Sequence, residues 1–455
     1  MASTARFTDA RVPSPGTSEV FAEDRRWQRY LDVEAALALA EAEVGLIPRS
    51  AANAIAAAAR TDVVDLDRVR AGVNRSSHPL MPLVVELSEA VGDPHGRWVH
   101  WGATTQNITQ TGDVLGLREA YAIVVDLLAE VLSEAADLAE RGAEMVMAGR
   151  THGQHAVPIT FGFKVAAWID QLARHLERLL QSSGRVFVAM MGGAAGTFAS
   201  FGELGPAVQA GVAERLGLGV MPVPARSIAD PFAELVCVLA MLAATGGAIA
   251  AEIAALMQTE FGEVAEPAPP GVIGSTTMPH KRNPQLCQDM VALSARVRAT
   301  VPLALEGMDH PHEVDAARTS IMDDAVTSAC VDVADQLVRL RVVLGGLELH
   351  PDRMRANLDL TGGLISSEAV MLALGETIGR QEAHRVVYEA AESTRVDGLA
   401  FADALAGHDR VREHLSPETI ATLLDPLAHS GLSAQLAGEA AARARSSVAR
   451  ASAIP

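Results

Sequence analysis

The sequence predicts an almost entirely α-helical chain, and three observations carry that prediction. Apolar residues recur at helical spacing over long segments, and no segment alternates with a period of two between hairpin turns. Aromatics make up only 4% of a chain that is 49% hydrophobic, so the core is built from Ala, Leu and Val. Small aliphatic side chains suit closely packed helices, and Ala has the highest helix propensity. Several long helices of this kind point to a bundle that keeps packing beyond one chain, and so to an oligomer.

Residues 1–20 contain Pro13, Pro15 and Gly16 and read as an arm or loop. A helix follows over 24–45, with Leu31, Val33, Ala36, Leu37 and Ala40 on one side, and Ile47-Pro48 breaks it. Further helices are expected at 49–59 and 63–71, and then 74–82 carries turn residues with Pro79 and Pro82. The middle holds long helical patterns at 111–141, 163–181, 207–216, 231–261, 285–308 and 324–344. The apolar run 235–251 contains Thr245, Gly246 and Gly247 and is flanked by Glu234 and Glu252, so it reads as a buried bundle helix rather than a membrane span. After Pro351 the helices shorten, punctuated by Gly362-Gly363, Gly379 and Gly398. Composition places boundaries near 105 and 350, giving three domains: 1–105, 106–350 and 351–455.

The net charge of −19 argues against nucleic acid or an anionic membrane as partner, and leaves a bound anion to local clusters of positive groups. Cys237, Cys287 and Cys330 are widely spaced and form no disulfide framework, and 1–20 lacks an apolar signal core; a reducing, cytoplasmic location is expected.

Four polar segments lie at the ends of helical runs, where binding residues gather. The first is Ser76-Ser77-His78, which also fits a serine-rich turn before Pro79. The second ends in Thr104, Thr105, Gln106 and Asn107, shortly before a long helix. Hydroxyls and amides there, with free backbone N–H groups and the helix dipole, bind carboxylates; an ordinary N-cap would need only one of them. The third, from Gly149 to His155, supplies Arg150, Thr151, His152 and His155. A histidine is a natural general acid or base, and equally a common core residue. The pair lacks the i,i+4 spacing of a helical zinc motif and has no third ligand nearby, so neither metal nor cofactor is expected. Arg174, within 163–181, is an anion-binding candidate that a solvated helix face would also explain.

The fourth segment, 274–284, reads GSTTMPHKRNP and follows a Pro/Gly-rich stretch that cannot be regular helix. It combines a hydroxyl (Ser275), a cation (Lys281) and an amide (Asn283). Serine serves as a base only where N–H donors and cations stabilise its alkoxide, and Lys281 and Asn283 suit the oxygens of a developing aci-carboxylate. A proline-bounded surface loop is the plain alternative.

This loop resembles the signature loop of the aspartase/fumarase superfamily, GSSxMPxKxNP. HWGATTQN and GRTHGQHAVPITFG resemble the other two signature regions, in the same order. NLDLTGGLISSEAV and GRQEAH resemble the C-terminal part of the adenylosuccinate lyase and 3-carboxy-cis,cis-muconate cycloisomerase branches, so the likeness runs from about residue 20 to 440. The resemblance implies three mostly α domains and a homotetramer with a twenty-helix core. It implies composite active sites, with three subunits contributing one region each, and anti β-elimination that releases fumarate. By motif position it makes Ser275 the base and His152 the general acid. Lys281 and Asn283 hold one carboxylate, and Thr104 and Thr105 the other, with Ser77, His78, Gln106, Asn107 and Thr151 around the substrate.

Departures narrow the substrate. Residues 1–22 lack the Arg-Tyr-Ser with which adenylosuccinate lyases grip the nucleotide phosphate, and the acids of the usual TSSDxxDT are amides here, Asn107 and Gln110. The run from Phe21 to Pro48 is closer to the cycloisomerase branch, which usually keeps those acids. The resemblance therefore implies a side branch acting on a small 2-substituted succinate, with nitrosuccinate as the expected substrate. Carboxymuconate cycloisomerase, adenylosuccinate lyase and a non-catalytic structural scaffold are the alternatives.

Overall fold

A computed structural model describes residues 6–451; residues 1–5 of the expected arm, and 452–455, lie outside the described residues. The rest of that arm is not a free loop. It forms a 3₁₀ turn at Asp9–Arg11 and a short helix at Thr17–Val20, and Thr8 and Thr17 are buried.

The long helices fall close to where their periodicity puts them: Glu23–Glu43, Arg49–Ala58, Leu66–Ser76, Thr105–Arg141, Phe161–Val186, Gly205–Leu216, Asp230–Leu256, Gln285–Glu306 and Ala316–Gly346. One helix is additional. Met81–Val91 begins where two prolines suggested only a turn, because Pro82 lies in its first turn, where proline has no N–H to lose.

Thr105–Arg141, Phe161–Val186, Asp230–Leu256, Gln285–Glu306 and Ala316–Gly346 share one large core, which the last helix, Ser433–Ala451, joins from outside the C-terminal cluster. Fully buried leucines such as Leu128 and Leu132 contribute about 2 kcal/mol each by leaving water. The helix 230–256 is apolar and long enough to cross a membrane, but 67% of its apolar window is buried. Its glycines explain the close packing. A Cβ at Gly246 would stand 2.9 Å from Gln336 Oε1, and one at Gly247 2.6 Å from Ser294 Oγ. A second core gathers the first helices with 189–218, and a third, from Val370 to Ile420, lies in the C-terminal part.

The all-α expectation needs one local correction. Residues Val146–Thr151 and Gln154–Thr160 form an antiparallel hairpin, and two-residue strands pair elsewhere. The first strand runs through three consecutive buried residues, so it never shows the alternation of a half-exposed strand. Its turn is His152-Gly153, with φ of 52° and 74°, the positive pair that a tight two-residue hairpin demands.

Ion pairs fix the direction of the bundle. Arg26 joins Asp113 at 2.7 Å and Asp323 at 3.9 Å near the starts of 105–141 and 316–346, while Arg341 meets Glu130 further along both. These two helices run parallel, so residues 105 and 316 share one end and residues 141 and 346 the other.

Candidate active site

At the first end, Thr104 caps the 37-residue helix 105–141, which starts six residues earlier than its apolar periodicity suggests. Asn107 is fully buried and reaches back: its Oδ1 accepts the Thr104 N–H at 3.0 Å and the Gly193 N–H at 3.2 Å, while its Nδ2 has no partner. Asn107 therefore builds the helix start. Thr105 presents its hydroxyl beside that start, 3.5 Å from His78 Nε2. His78 Nδ1 accepts the Met81 N–H at 2.8 Å and the Leu80 N–H at 3.3 Å. The ring proton of neutral His78 then sits on Nε2, aimed at Thr105. So the fold brings the first and second polar segments together. Ser77, exposed and in the left-handed conformation, ends helix 66–76 next to His78.

Gln106 turns to the side of the helix. Its Oε1 accepts Arg226 Nε at 2.8 Å and its Nε2 reaches Gln110 Oε1 at 2.9 Å. Both glutamines line a cavity of about 290 Å³ with Arg226, Asp113, Asp323 and His310. Arg226 is held there by neutral acceptors, Gln106 and the Ala194 carbonyl at 2.8 Å. The Asp323 side chain keeps 48% of its area open, yet the surrounding walls and then Asp113 push its carboxyl up to about 7. Behind the same end, buried Glu34 holds His100 Nδ1 at 2.6 Å. Burial opposes a charge on His100, but Glu34 outweighs it and keeps the ring above the usual histidine range.

The other end carries the remaining candidates. Thr151 and His152 are exposed at the hairpin tip. Arg150 is not available to a ligand: it pairs with Glu263 at 2.7 and 3.0 Å, lies over the Phe261 ring, and so pins the hairpin to 261–263. His155, opposite Arg150 in the ladder, is held below the usual histidine range by burial and then by Arg150.

The 274–284 loop lies near Glu266 and Glu348. Ser275 Oγ accepts the Met278 N–H at 3.1 Å and the Thr277 N–H at 3.4 Å. Those amides are the donors that an alkoxide needs. Lys281 is exposed. Asn283 uses one N–H on the Gly274 carbonyl at 2.6 Å, which closes the loop on itself. A Cβ at Gly274 would collide with the Lys281 carbonyl, so this turn requires glycine. Arg174 pairs with Asp170 one turn away, half-exposed on its helix, and joins none of the other candidates. No three His, Cys, Asp or Glu side chains gather as a metal would require among the described residues.

Thr104 and Thr105 thus stand at one end of the bundle, and Ser275, Lys281, Asn283 and His152 at the other. At 1.5 Å per residue, a 37-residue helix separates them by roughly 55 Å. One chain cannot close a site around both.

Arg226, Asp113, Asp323 and Glu34 were not legible in the sequence, because each sits singly in a helical or loop segment and acquires its role from partners far along the chain. His100 opens the second polar segment, and that position is the one signal for it.

A family model described as "Lyase" matches residues 9–299, and one described as "Adenylosuccinate lyase C-terminus" matches 363–440. The chain is 38% identical to N-acetyl-S-(2-succino)cysteine lyase of Dickeya dadantii over 94% of each protein. It is 39% identical to adenylosuccinate lyase of Pyrococcus abyssi, over 90% of this chain and 91% of that one. The 3-carboxy-cis,cis-muconate lactonizing enzyme of Pseudomonas putida superposes with a TM-score of 0.88 at 33% identity, covering 99% of this chain and 100% of the other.

Proposed function

The chain belongs to the aspartase/fumarase superfamily of lyases, and on that premise we propose that it releases fumarate from a 2-substituted succinate by β-elimination. One observation carries the reading: the Ser275 hydroxyl already accepts two backbone N–H groups, six residues before Lys281. Ser275, as alkoxide, takes a proton from the carbon beside one carboxylate. The electron pair moves into that carboxylate as an aci-carboxylate, which Lys281 and the remaining N–H of Asn283 stabilise. The pair then returns to form the double bond, and the bond to the leaving group breaks. His152 gives the departing atom its proton. Thr104, Thr105 and the free N–H groups of the helix start hold the second carboxylate. Because the two halves lie at opposite ends of the helix bundle, the working site draws them from different copies, and a homotetramer is the assembly proposed.

The leaving group is read from the cavity beside Gln106. Nitrite would leave most of its volume of about 290 Å³ unused. A cationic Arg226 facing Asp113 and Asp323 suits a group with both a carboxylate and an N–H donor. An S-(2-succino)cysteine derivative has both, and the similarity to the Dickeya dadantii enzyme points the same way. We therefore place a 2-succino thioether ahead of nitrosuccinate. The three free cysteines fit a cytoplasmic setting.

The test is to incubate the purified protein with N-acetyl-S-(2-succino)cysteine, nitrosuccinate and adenylosuccinate, following fumarate by absorbance, and with carboxymuconate, following lactone. Fumarate fastest from the thioether supports the full reading. Fumarate fastest from nitrosuccinate or adenylosuccinate keeps the elimination and overturns the thiol. Lactone with no fumarate overturns the elimination.

A further inference from the structure

The N-terminal segment, which composition gives as a loose arm, is bound to the base of the signature loop. Arg11 is the centre of this contact, with its side chain only 10% exposed. Its Nη2 donates to the Pro267 carbonyl at 2.6 Å, and its Nη1 to Glu266 Oε1 at 3.2 Å; both acceptors directly follow the two-residue strand Val264–Ala265 that leads into the loop. The same Nη1 donates to Gln285 Oε1 at 3.0 Å, and Gln285 is the first residue of the helix that leaves the loop. One guanidinium therefore ties the two roots of 267–284 together.

Glu266 completes the junction. Its carboxylate accepts the Leu286 N–H at 3.1 Å and the Cys287 N–H at 3.2 Å, capping the outgoing helix. Those free N–H groups and the helix dipole favour the negative charge, and Arg11 neutralises it on the other side. Arg282 adds a strap from inside the loop, to the Glu266 carbonyl at 3.1 Å and to Glu348 at 2.8 and 2.9 Å. Arg11 is anchored in turn. Arg6 and Thr8 bond Asp289 on the outgoing helix, and Asp9 bonds the buried Arg339 of helix 316–346. Between Arg11 and the loop lies a small cavity of about 30 Å³ lined by Val272, Gly274, Arg282 and Asn283, so no packed layer separates the arm from the turn that carries Ser275.

We propose that Arg11 is a positioning residue for the Ser275 loop: it fixes the spacing of the loop's two roots, and so the placement of Ser275, Lys281 and Asn283, without touching substrate. The proposal rests on the elimination chemistry above for its kinetic consequence, but not for its structural one. A planar guanidinium with several donors can serve three acceptors at once; a lysine ammonium reaching the same place is a point charge without that fork.

Arg11→Gln and Arg11→Lys test this, with Gln285→Met as a companion variant that removes the outgoing contact together with the Gln285 Nε2 bond to the Ile273 carbonyl at 3.5 Å, and leaves the arm's other anchors. Two measurements are read on the full chain: amide hydrogen exchange across 267–284, and steady-state kinetics with the succinate that gives fumarate. In Arg11→Gln, exchange in the loop rises by about tenfold while that of helices 105–141 and 161–186 is unchanged. Displacing a catalytic group by about an ångström lowers kcat by up to about a hundredfold, with KM moving far less. Arg11→Lys recovers part of both, and Gln285→Met shows the same pattern at smaller amplitude. If Arg11→Gln does not fold, Arg11→Lys decides, since it leaves the Gln285 bond to the Ile273 carbonyl in place. Loop exchange equal to that of the native protein overturns the proposal, whatever the activity. Raised loop exchange with kcat unchanged also overturns it, and raised loop exchange where the native protein itself yields no fumarate from any succinate keeps the structural tie and defeats the proposed reaction instead.

Discussion

The two ends of the bundle are built in opposite ways. At the 105 end the candidates other than Ser77 are largely locked: Asn107 is buried in a helix cap, His78 takes two backbone N–H groups, and His100 is held by Glu34. At the other end Lys281, Thr151 and His152 are exposed, and Ser275 sits in a loop secured mainly at its roots. The binding half can be set while one chain folds, because carboxylate recognition needs fixed N–H groups and no motion. In the proposed assembly, the proton-transferring half would be left open because its surroundings would come with another copy and its loop would have to admit substrate.

The largest expected effect tests the open end. Ser275→Ala removes the base and lowers kcat by about a thousandfold or more, while thermal stability stays within about 0.5 kcal/mol of native, since a loop serine supports little packing. Full activity in that variant would remove Ser275 from its role. Mixing Ser275→Ala with Thr105→Val after dissociation and reassembly then tests the separation itself. If the halves of a site come from different copies, random assortment restores about a quarter of the native rate at substrate well below the native KM, where Thr105→Val sites contribute little, because some sites receive neither defect. No recovery, in a mixture shown to contain hybrids, would mean that each site takes both halves from one chain.

The next effect concerns the locked end. Thr105→Val removes one hydrogen bond to a carboxylate, which is worth about 1.5–3 kcal/mol, so KM rises roughly tenfold to a hundredfold with kcat less affected. An unchanged KM would show that the backbone N–H groups of the helix start suffice.

This contrast also explains what was legible in the sequence. The open end announces itself, because GSTTMPHKRNP is a contiguous string and its chemistry lies in neighbouring residues. The long helices are equally plain, since 105–141 or 230–256 repeats its apolar pattern over many turns. The hairpin around His152 is not plain: its buried strand shows no alternation, and only the tight turn distinguishes it. The locked end is the least legible. Asn107 reads as one of four ligand-like polar residues, yet its oxygen is taken by Thr104 and Gly193, the latter 86 positions away. Arg226, in the loop before helix 230–256, and Asp323 meet at one cavity only because helices 23–43, 105–141, 230–256 and 316–346 come together there. Pairings of that kind depend on topology rather than on local pattern.

A smaller effect separates leaving groups at the open end. With a thiol departing, His152→Asn lowers kcat by about tenfold, because a thiolate leaves with little help; an amine would need the acid, at a cost of about a hundredfold or more. The rate of the variant on its best substrate, compared with native enzyme, therefore checks the assignment of the leaving group independently of the cavity.

The smallest effect on activity belongs to a stability change, and asks how much the locked end gives up for its fixed geometry. Glu41 is fully buried on helix 23–43, and neither of its oxygens has a hydrogen-bond partner. Burial, then the nearby Glu34, push its carboxyl from 4.5 up to about 9. Below pH 4.5 the folded and unfolded chains both keep the proton, and Glu41 costs nothing by ionisation. Between pH 4.5 and about 9 only the folded chain keeps it, so stability falls by up to about 1.4 kcal/mol per pH unit. Glu41→Gln keeps the shape and removes the titration. The variant should match native protein near pH 4.5 and unfold at a clearly higher temperature near pH 8, by up to about 10–20 °C at about 2–4 °C per kcal/mol, with KM unaltered. A gap in melting temperature that is the same at both pH values would mean that Glu41 is ionised in the fold, and that the locked end hides a cation facing it.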